Sequence, residues 1–316
     1  MTPLSRRMRR LKTLPVLPTL LTAGNLAAGI TAILCAAHAN GPDQQSFLFW
    51  GAVMVFVAMF CDMLDGKVAR MTNTQGAFGA ELDSLSDVVS FGVAPAILTH
   101  RLIIGQPGVF HHGERVLWFC TVFYAVMAAI RLARYNVEHS DEATPHFRGL
   151  PSPGAAALVC SWILVHQQMH DSVVGASETA NRWLHRWFNS QPVMTNYDGL
   201  GDLDAFRWFL LAMLLVAALL MVSTVRFPHL GNTLLGRMSF RKLILLMAVG
   251  AIFVWKPAPF LVVAISSYLI YGLGSEAFMM WRSWRSGRNP LDDDDDADDA
   301  GVGGERPDDV GPAPGR

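Results

Sequence analysis

Four carboxylates, Asp62, Asp65, Asp83 and Asp87, interrupt otherwise apolar, helix-like sequence between Cys61 and Gly92, with Gly66, Ala69, Arg70 and Gly79 set among them. On a helix, Asp62 and Asp65 are three residues apart and Asp83 and Asp87 four apart, so each pair presents both carboxylates on one face. The stretch between Arg70 and Asp83 holds Asn73, Gly76 and Gly79, turn-prone enough to reverse the chain and bring the pairs together. Four like charges in one small volume repel strongly. Divalent cations remove that penalty, and hard oxygen donors suit magnesium, manganese or calcium; zinc is disfavoured because no Cys or His accompanies them. Such a cluster, with metal and an arginine, suits phosphoryl chemistry, in which metals neutralise diphosphate charge and hold nucleophile and leaving group in line. An ion-pair anchor for helix ends would need matching cations, but only Lys67 and Arg70 face Asp62, Asp65, Glu81, Asp83 and Asp87 locally. Gly66 and Ala69, one turn beyond the first pair, leave room for a bulky ligand, although small residues equally let membrane helices approach.

The elements that must carry these groups follow from composition. With 52% hydrophobic residues, 16% charged residues and a mean hydropathy of +0.30, the 316-residue chain cannot hide its apolar groups in one water-soluble core. It reads as an all-α, polytopic helical membrane protein. Stretches long enough for a bilayer, about 20 residues each, fall near 15–38, 47–66, 83–104, 116–135, 152–170, 205–225, 239–256 and 258–282, giving about eight transmembrane helices. The prolines of Lys256-Pro257-Ala-Pro259 suggest a tight hairpin between the last two. With the N-terminus in the cytoplasm, 19 of the 25 Lys and Arg residues fall on inner-side segments. That asymmetry predicts cytoplasmic termini, and a carboxylate segment at the cytoplasmic face of the inner membrane. The net charge of -1 conceals a basic body offset by an acidic end, and nothing favours nucleic-acid binding. Cys35, Cys61, Cys120 and Cys160 lie in apolar stretches without CxxC spacing and read as buried thiols.

The domain organisation expected is a basic cytoplasmic N-tail at 1–13, a membrane domain at 14–285 and a disordered acidic C-terminal tail at 286–316. Within the membrane domain, residues 171–203 form an extracytoplasmic insert. There Trp183, Leu184, Trp187 and Phe188 share a helical face opposite Arg182, His185 and Arg186, as in an interfacial helix.

Taken together, Asp62-x-x-Asp65-Gly66-x-x-Ala69-Arg70, eight residues, Gly79, three residues, Asp83, three residues and Asp87 resembles the signature of the CDP-alcohol phosphotransferase family, with every motif position filled. The resemblance implies that Asp62, Asp65 and Asp83 help to bind two divalent metal ions, Mg2+ or Mn2+, and that Asp87 is the base for the acceptor alcohol and also touches metal. It further implies that Asp62, Gly66, Ala69, Arg70, Gly79 and Asp83 bind the CDP-linked lipid. It implies a homodimer as well.

Looser stretches, Thr22-Ala-Gly24-Asn25-Leu-Ala-Ala-Gly29, Ser90-Phe-Gly-Val-Ala-Pro95-Ala, Arg131-Leu-Ala-Arg134-Tyr-Asn136 and Gly149-Leu-Pro151-Ser-Pro153, are similar to the serine-accepting bacterial and archaeal branch of that family. CDP-diacylglycerol and L-serine are then the implied substrates. Arg131 and Arg134 could pair with serine's carboxylate or a lipid phosphate, or could simply anchor the span on its positive side. Asn25, Asn136, Arg148 and Arg226 are weaker candidates for ligand contact, and Asn25 reads first as an interhelical hydrogen bonder, with Ala23/Ala27 and Gly24/Ala28 as packing positions. A relative using glycerol 3-phosphate, an inositol phosphate or choline is the near alternative, and a cation channel or transporter the distant one.

Overall fold

The computed structural model describes residues 16–71, 77–104, 113–138, 147–174, 200–227 and 249–286. The chain begins with α1 (Val16–His38), turns through a 3-10 segment at Gly41–Asp43 and returns along α2 (Gln44–Met71). Pro18 falls in the first turn of α1, where its missing N–H would have had no intrahelical partner. The hairpin is close because its seam is small: Ala28, Ala32 and Ala36 of α1 are buried with Ala52, Val55 and Ala58 of α2. A methyl at Gly51 would press on the Ala32 carbonyl 3.3 Å away and collide with Leu98, so this crossing depends on glycine. Arg101 closes the end of the hairpin, its Nε donating to Ala39 O at 3.1 Å and its guanidinium to the Asn40 side chain.

α3 (Ala77–Asp87), a π-helical segment (Val88–Val93) and α4 (Ala94–Ile104) form one continuous membrane-length helix. The π segment has a local cause. Pro95 lacks the N–H that would bond Phe91 O four residues back, and the helix widens there, with Ala94 N–H reaching Val89 O. Tyr124 supplies the missing donor, its hydroxyl lying 3.2 Å from Phe91 O. On the other side Ser90 Oγ donates to Asn25 O at 3.0 Å, while a methyl at Gly29 would lie 2.8 Å from Ser90 Cα. The widened turn is therefore clamped between α1 and α5 (Glu114–Glu138).

α6 (Ser152–Val174) and α7 (Leu200–Val222) complete the packed bundle, which buries Leu158, Cys160, Ile163 and Leu164 against Leu210, Leu214, Ala217 and Ala218. The all-α reading stands, with one small exception among the described residues. Phe147–Arg148 (β1) pairs antiparallel with Arg226–Phe227 (β2). This bridge leads into Gly149, at φ +85°, whose N–H donates to Val225 O at 2.8 Å and where a Cβ would lie 2.5 Å from Met221 O and 3.0 Å from Ser223 O, so that no side chain fits. The Gly149-Leu-Pro151-Ser-Pro153 stretch thus ties the start of α6 to the end of α7.

After a helical stretch at 249–255, the single non-helical residue Lys256 precedes α8 (Pro257–Ser286). Ala258 and Val262 are buried and Leu261, Ile265 and Tyr268 pack on the same core. The compact unit that includes the bundle ends at Leu269; from Ile270 onward the chain forms a second unit, in which Arg285 lies 5.2 Å over the Trp281 ring.

Six helices among the described residues are long and apolar enough to cross a membrane: 17–38, 44–69, 78–104, 114–137, 205–222 and 257–278. Leu20, Leu34, Phe60, Phe119, Val122 and Leu219 are exposed on them, as lipid-facing residues should be. The fold is that of a multi-pass membrane protein. Of the eight spans expected, that at 152–170 is α6, a 23-residue helix buried among the others, and most of that at 239–256 lies outside the described residues. The N-tail at 1–13, most of the insert at 171–203 and the acidic tail beyond Ser286 lie outside them too.

Candidate active site

Asp62 and Asp65 lie near the end of α2, and Asp83 and Asp87 occupy successive turns of α3. The two helix ends face each other as the spacing predicts. Asp62, Asp83 and Asp87 each offer a carboxylate oxygen, and the three lie within 4.8 Å of one another. Asp83 Oδ1 is buried with no hydrogen-bond partner among the described residues. An orphaned carboxylate oxygen beside two more like charges fits a divalent cation with oxygen coordination, which would satisfy it and quench the repulsion.

Asp65 is placed differently from the trio. It is 5% exposed, and its Oδ2 accepts a 2.9 Å hydrogen bond from Thr22 Oγ1. Thr22 has one proton and a second acceptor 3.1 Å away, Pro18 O, so the same hydroxyl holds either α1 or Asp65 at a given moment. Asp65 nonetheless lies close enough to add its charge to those of Asp62, Asp83 and Asp87.

Asn25, three residues along α1 from Thr22, donates from Nδ2 to Asp87 Oδ1 at 3.1 Å. A single face of α1 therefore orients one carboxylate of each pair, Thr22 gripping Asp65 and Asn25 gripping Asp87. The reading of Asn25 as an interhelical hydrogen bonder is met, since the bond runs from α1 to α3, but the sequence named neither its partner nor a role for Thr22. Their partners are 43 and 62 residues away, a separation at which spacing carries no signal.

Gly66 and Gly79 answer a question that the sequence left open. A methyl on either would meet no heavy atom within 4 Å, so helix packing does not demand glycine there. Both positions border open space. Ala69 is half-buried on the same helix, and the Arg70 side chain lies outside the described residues.

Arg131, near the end of α5, is 9% exposed; its Nη1 donates to Ser152 Oγ at 2.8 Å, and its Nε is buried without a partner among the described residues. Ser152 is the first residue of α6, delivered there by the Gly149 turn. The guanidinium is within electrostatic reach of Asp87, with Tyr135 and Tyr268 around it. Arg134, one turn further along α5, is half-buried. Asn136 donates to Ser84 Oγ at 2.9 Å and so ties α5 to α3. Arg148 and Arg226 pair through their backbones, and their side chains lie outside the described residues.

A carboxylate triad fit for divalent metal, two glycines with no neighbour within 4 Å among the described residues and a buried arginine within electrostatic reach of Asp87 thus occur in one region of the bundle. Residues 15–189 match the CDP-alcohol phosphatidyltransferase family. The chain is 30% identical over 263 residues to the CDP-diacylglycerol–serine O-phosphatidyltransferase of Helicobacter pylori strain J99, covering 83% of this chain and 92% of that one. It is 31% identical over 189 residues to the protein of that name from Mycobacterium tuberculosis, covering 58% of each, and 32% over 139 residues to that from Bacillus subtilis, covering 44% of this chain and 70% of that one. The chain belongs to the CDP-alcohol phosphatidyltransferase family, and it is a membrane transferase.

Proposed function

We propose that the protein transfers the phosphatidyl group of CDP-diacylglycerol to the hydroxyl of L-serine, giving phosphatidylserine and CMP. The observation that carries this reading is the convergence of Asp62, Asp83 and Asp87 within 4.8 Å, with Arg131 facing Asp87. The names of the relatives support serine as the acceptor.

Asp87 takes the proton of the serine hydroxyl as its oxygen attacks the lipid-side phosphorus. The new O–P bond forms while the bridging P–O bond breaks, and CMP departs with the bridging oxygen. Asn25 keeps the Asp87 carboxylate aimed, and Gly66 and Gly79 leave the backbone open to the nucleotide. Asp62, Asp65 and Asp83, with Asp87, would hold two divalent ions, Mg2+ or Mn2+. Bound there, these neutralise the diphosphate and the developing charge on the leaving group. Arg131 supplies fixed positive charge beside the reacting centre, with Arg134 one turn away.

In this reading the carboxylates lie at the cytoplasmic face of the inner membrane, where the lipid enters sideways and serine and CMP exchange with cytosol. The basic 1–13 and acidic 286–316 segments flank the membrane domain on that side, and the protein works as a homodimer. The test is an acceptor screen with purified protein, CDP-diacylglycerol and Mg2+ or Mn2+, with the lipid product identified by mass. Phosphatidylserine is expected. A product from glycerol 3-phosphate, an inositol phosphate or choline, with none from serine, overturns the acceptor.

A further inference from the structure

We infer that the acceptor amino acid is gripped on both sides of Asp87, its carboxylate by the Nε edge of Arg131 and its ammonium by the side-chain oxygen of Asn25. This rests on the reading above that the acceptor is serine, and it assigns that acceptor a subsite built from α1 and α5.

Two orphaned atoms point to it. Arg131 is nearly buried, and its planar fork is anchored at one corner, Nη1 to Ser152 Oγ at 2.8 Å, while its Nε is buried with no partner. Burying a guanidinium donor unpaired is costly, and the arrangement is relieved when a ligand brings a carboxylate to that edge. Anchoring by Ser152 fixes the fork before the ligand arrives, the condition for geometrically specific recognition of a carboxylate.

Asn25 is fully buried, and Nδ2 points at Asp87 Oδ1. With Nδ2 spent on Asp87, the amide oxygen is buried as an acceptor with no donor among the described residues. The planarity of the amide keeps that oxygen next to the Asp87 carboxylate. A neutral oxygen is the right partner for an ammonium in this place. A fifth carboxylate would draw metal ions and add repulsion to a cluster that already holds four acids.

Serine carries three polar groups around its short chain, and each then has a place: hydroxyl at Asp87, carboxylate at Arg131, ammonium at Asn25. Alcohols lacking one group should lose one contact.

The experiment uses the full-length protein in detergent with saturating CDP-diacylglycerol, following CMP release with L-serine, 3-hydroxypropionate, which lacks the ammonium, and ethanolamine, which lacks the carboxylate. Wild type should prefer serine to both. Asn25→Ala should raise the KM for serine roughly ten- to hundredfold, leave the KM for CDP-diacylglycerol unchanged and shrink the preference over 3-hydroxypropionate. Arg131→Gln should shrink the preference over ethanolamine instead. Because damage to Asp87 slows every acceptor alike, an equal fall for all three in Asn25→Ala would overturn the assignment, as would unchanged ratios in both variants. Thermal unfolding of the wild type supplies a readout that needs no variant: L-serine should raise the Tm more than either analogue, and equal shifts would overturn the subsite. Phosphatidylserine formation with unaltered ratios sinks this inference alone, whereas a wild type that ignores serine sinks the function beneath it.

Discussion

At one end of the bundle three carboxylates from α2 and α3 lie within 4.8 Å and border open space, while some way along α6 a second polar group is sealed in rings. His166 is fully buried, 5.6 Å from the Phe206 ring and 6.5 Å from that of His170, with Arg207 of α7 within electrostatic reach. It lies fourteen residues beyond Ser152, about 20 Å along the helix axis. Both regions place titratable groups of one sign inside a membrane helix bundle, carboxylates in the first and the basic His166, His170 and Arg207 in the second, but only the first borders open space. Like charges held together are tolerable where an exchangeable cation or substrate balances them. Around the imidazole group aromatic side chains close instead. The contrast teaches that convergence of charge beside open volume, rather than burial of polar groups as such, is what singles out the proposed active end.

Five changes would break or sharpen that contrast. The largest effect should come from Asp87→Asn, which keeps the shape of the side chain and removes the base: CMP release should fall by roughly 10² to 10⁴, with Tm unchanged or raised because one of four like charges is gone. Wild-type turnover in that variant would remove Asp87 from the chemistry. Next, Thr22→Val takes from Asp65 a hydrogen bond to a charged group, an interaction of about 1.5–3 kcal/mol. The Mg2+ or Mn2+ concentration for half-maximal rate should rise about tenfold or more, and a metal titration checks it.

A smaller effect should follow from Gly66→Ala. Since nothing lies within 4 Å of the added methyl, Tm should hold. The KM for CDP-diacylglycerol should rise severalfold, by about 1 kcal/mol of lost approach, and initial rates against lipid concentration would show it. Gly29→Ala supplies the control in the other sense, because its methyl runs into Ser90 and should lower stability by about 1–3 kcal/mol. The least effect is expected at the sealed group: His166→Leu should leave turnover as in wild type and stability level or slightly improved, since an apolar residue suits a ring-lined pocket whose two imidazole nitrogens have no partner. A large loss of activity there would mean that the distant polar group is coupled to the carboxylates.

How far the molecule could be read in advance differs from residue to residue. The pairing of Asp62 with Asp65 and of Asp83 with Asp87 was legible because helical period alone puts each pair on one face. The spans at 17–38, 44–69, 78–104 and 114–137 were legible for a similar reason, since lipid demands long apolar helices. The π segment was less so: Pro95 announces a missing hydrogen bond, but only Tyr124 and Asn25, contributed by other helices, decide that the helix widens rather than breaks. The separate setting of Asp65 was not legible at all, because its partner Thr22 is on another helix.

Local chemistry, then, was settled by the chain alone: which carboxylates share a face and which segments must be helical in lipid. Periodicity can do this because it acts over three or four residues. The tertiary structure decided that Asp62, Asp83 and Asp87 converge while Asp65 is tied to Thr22, that Asn25 and Arg131 flank Asp87, and that Gly66 and Gly79 border open space rather than a neighbouring helix. Those outcomes depend on how helices rotate and cross, and packing between distant segments sets the rotation.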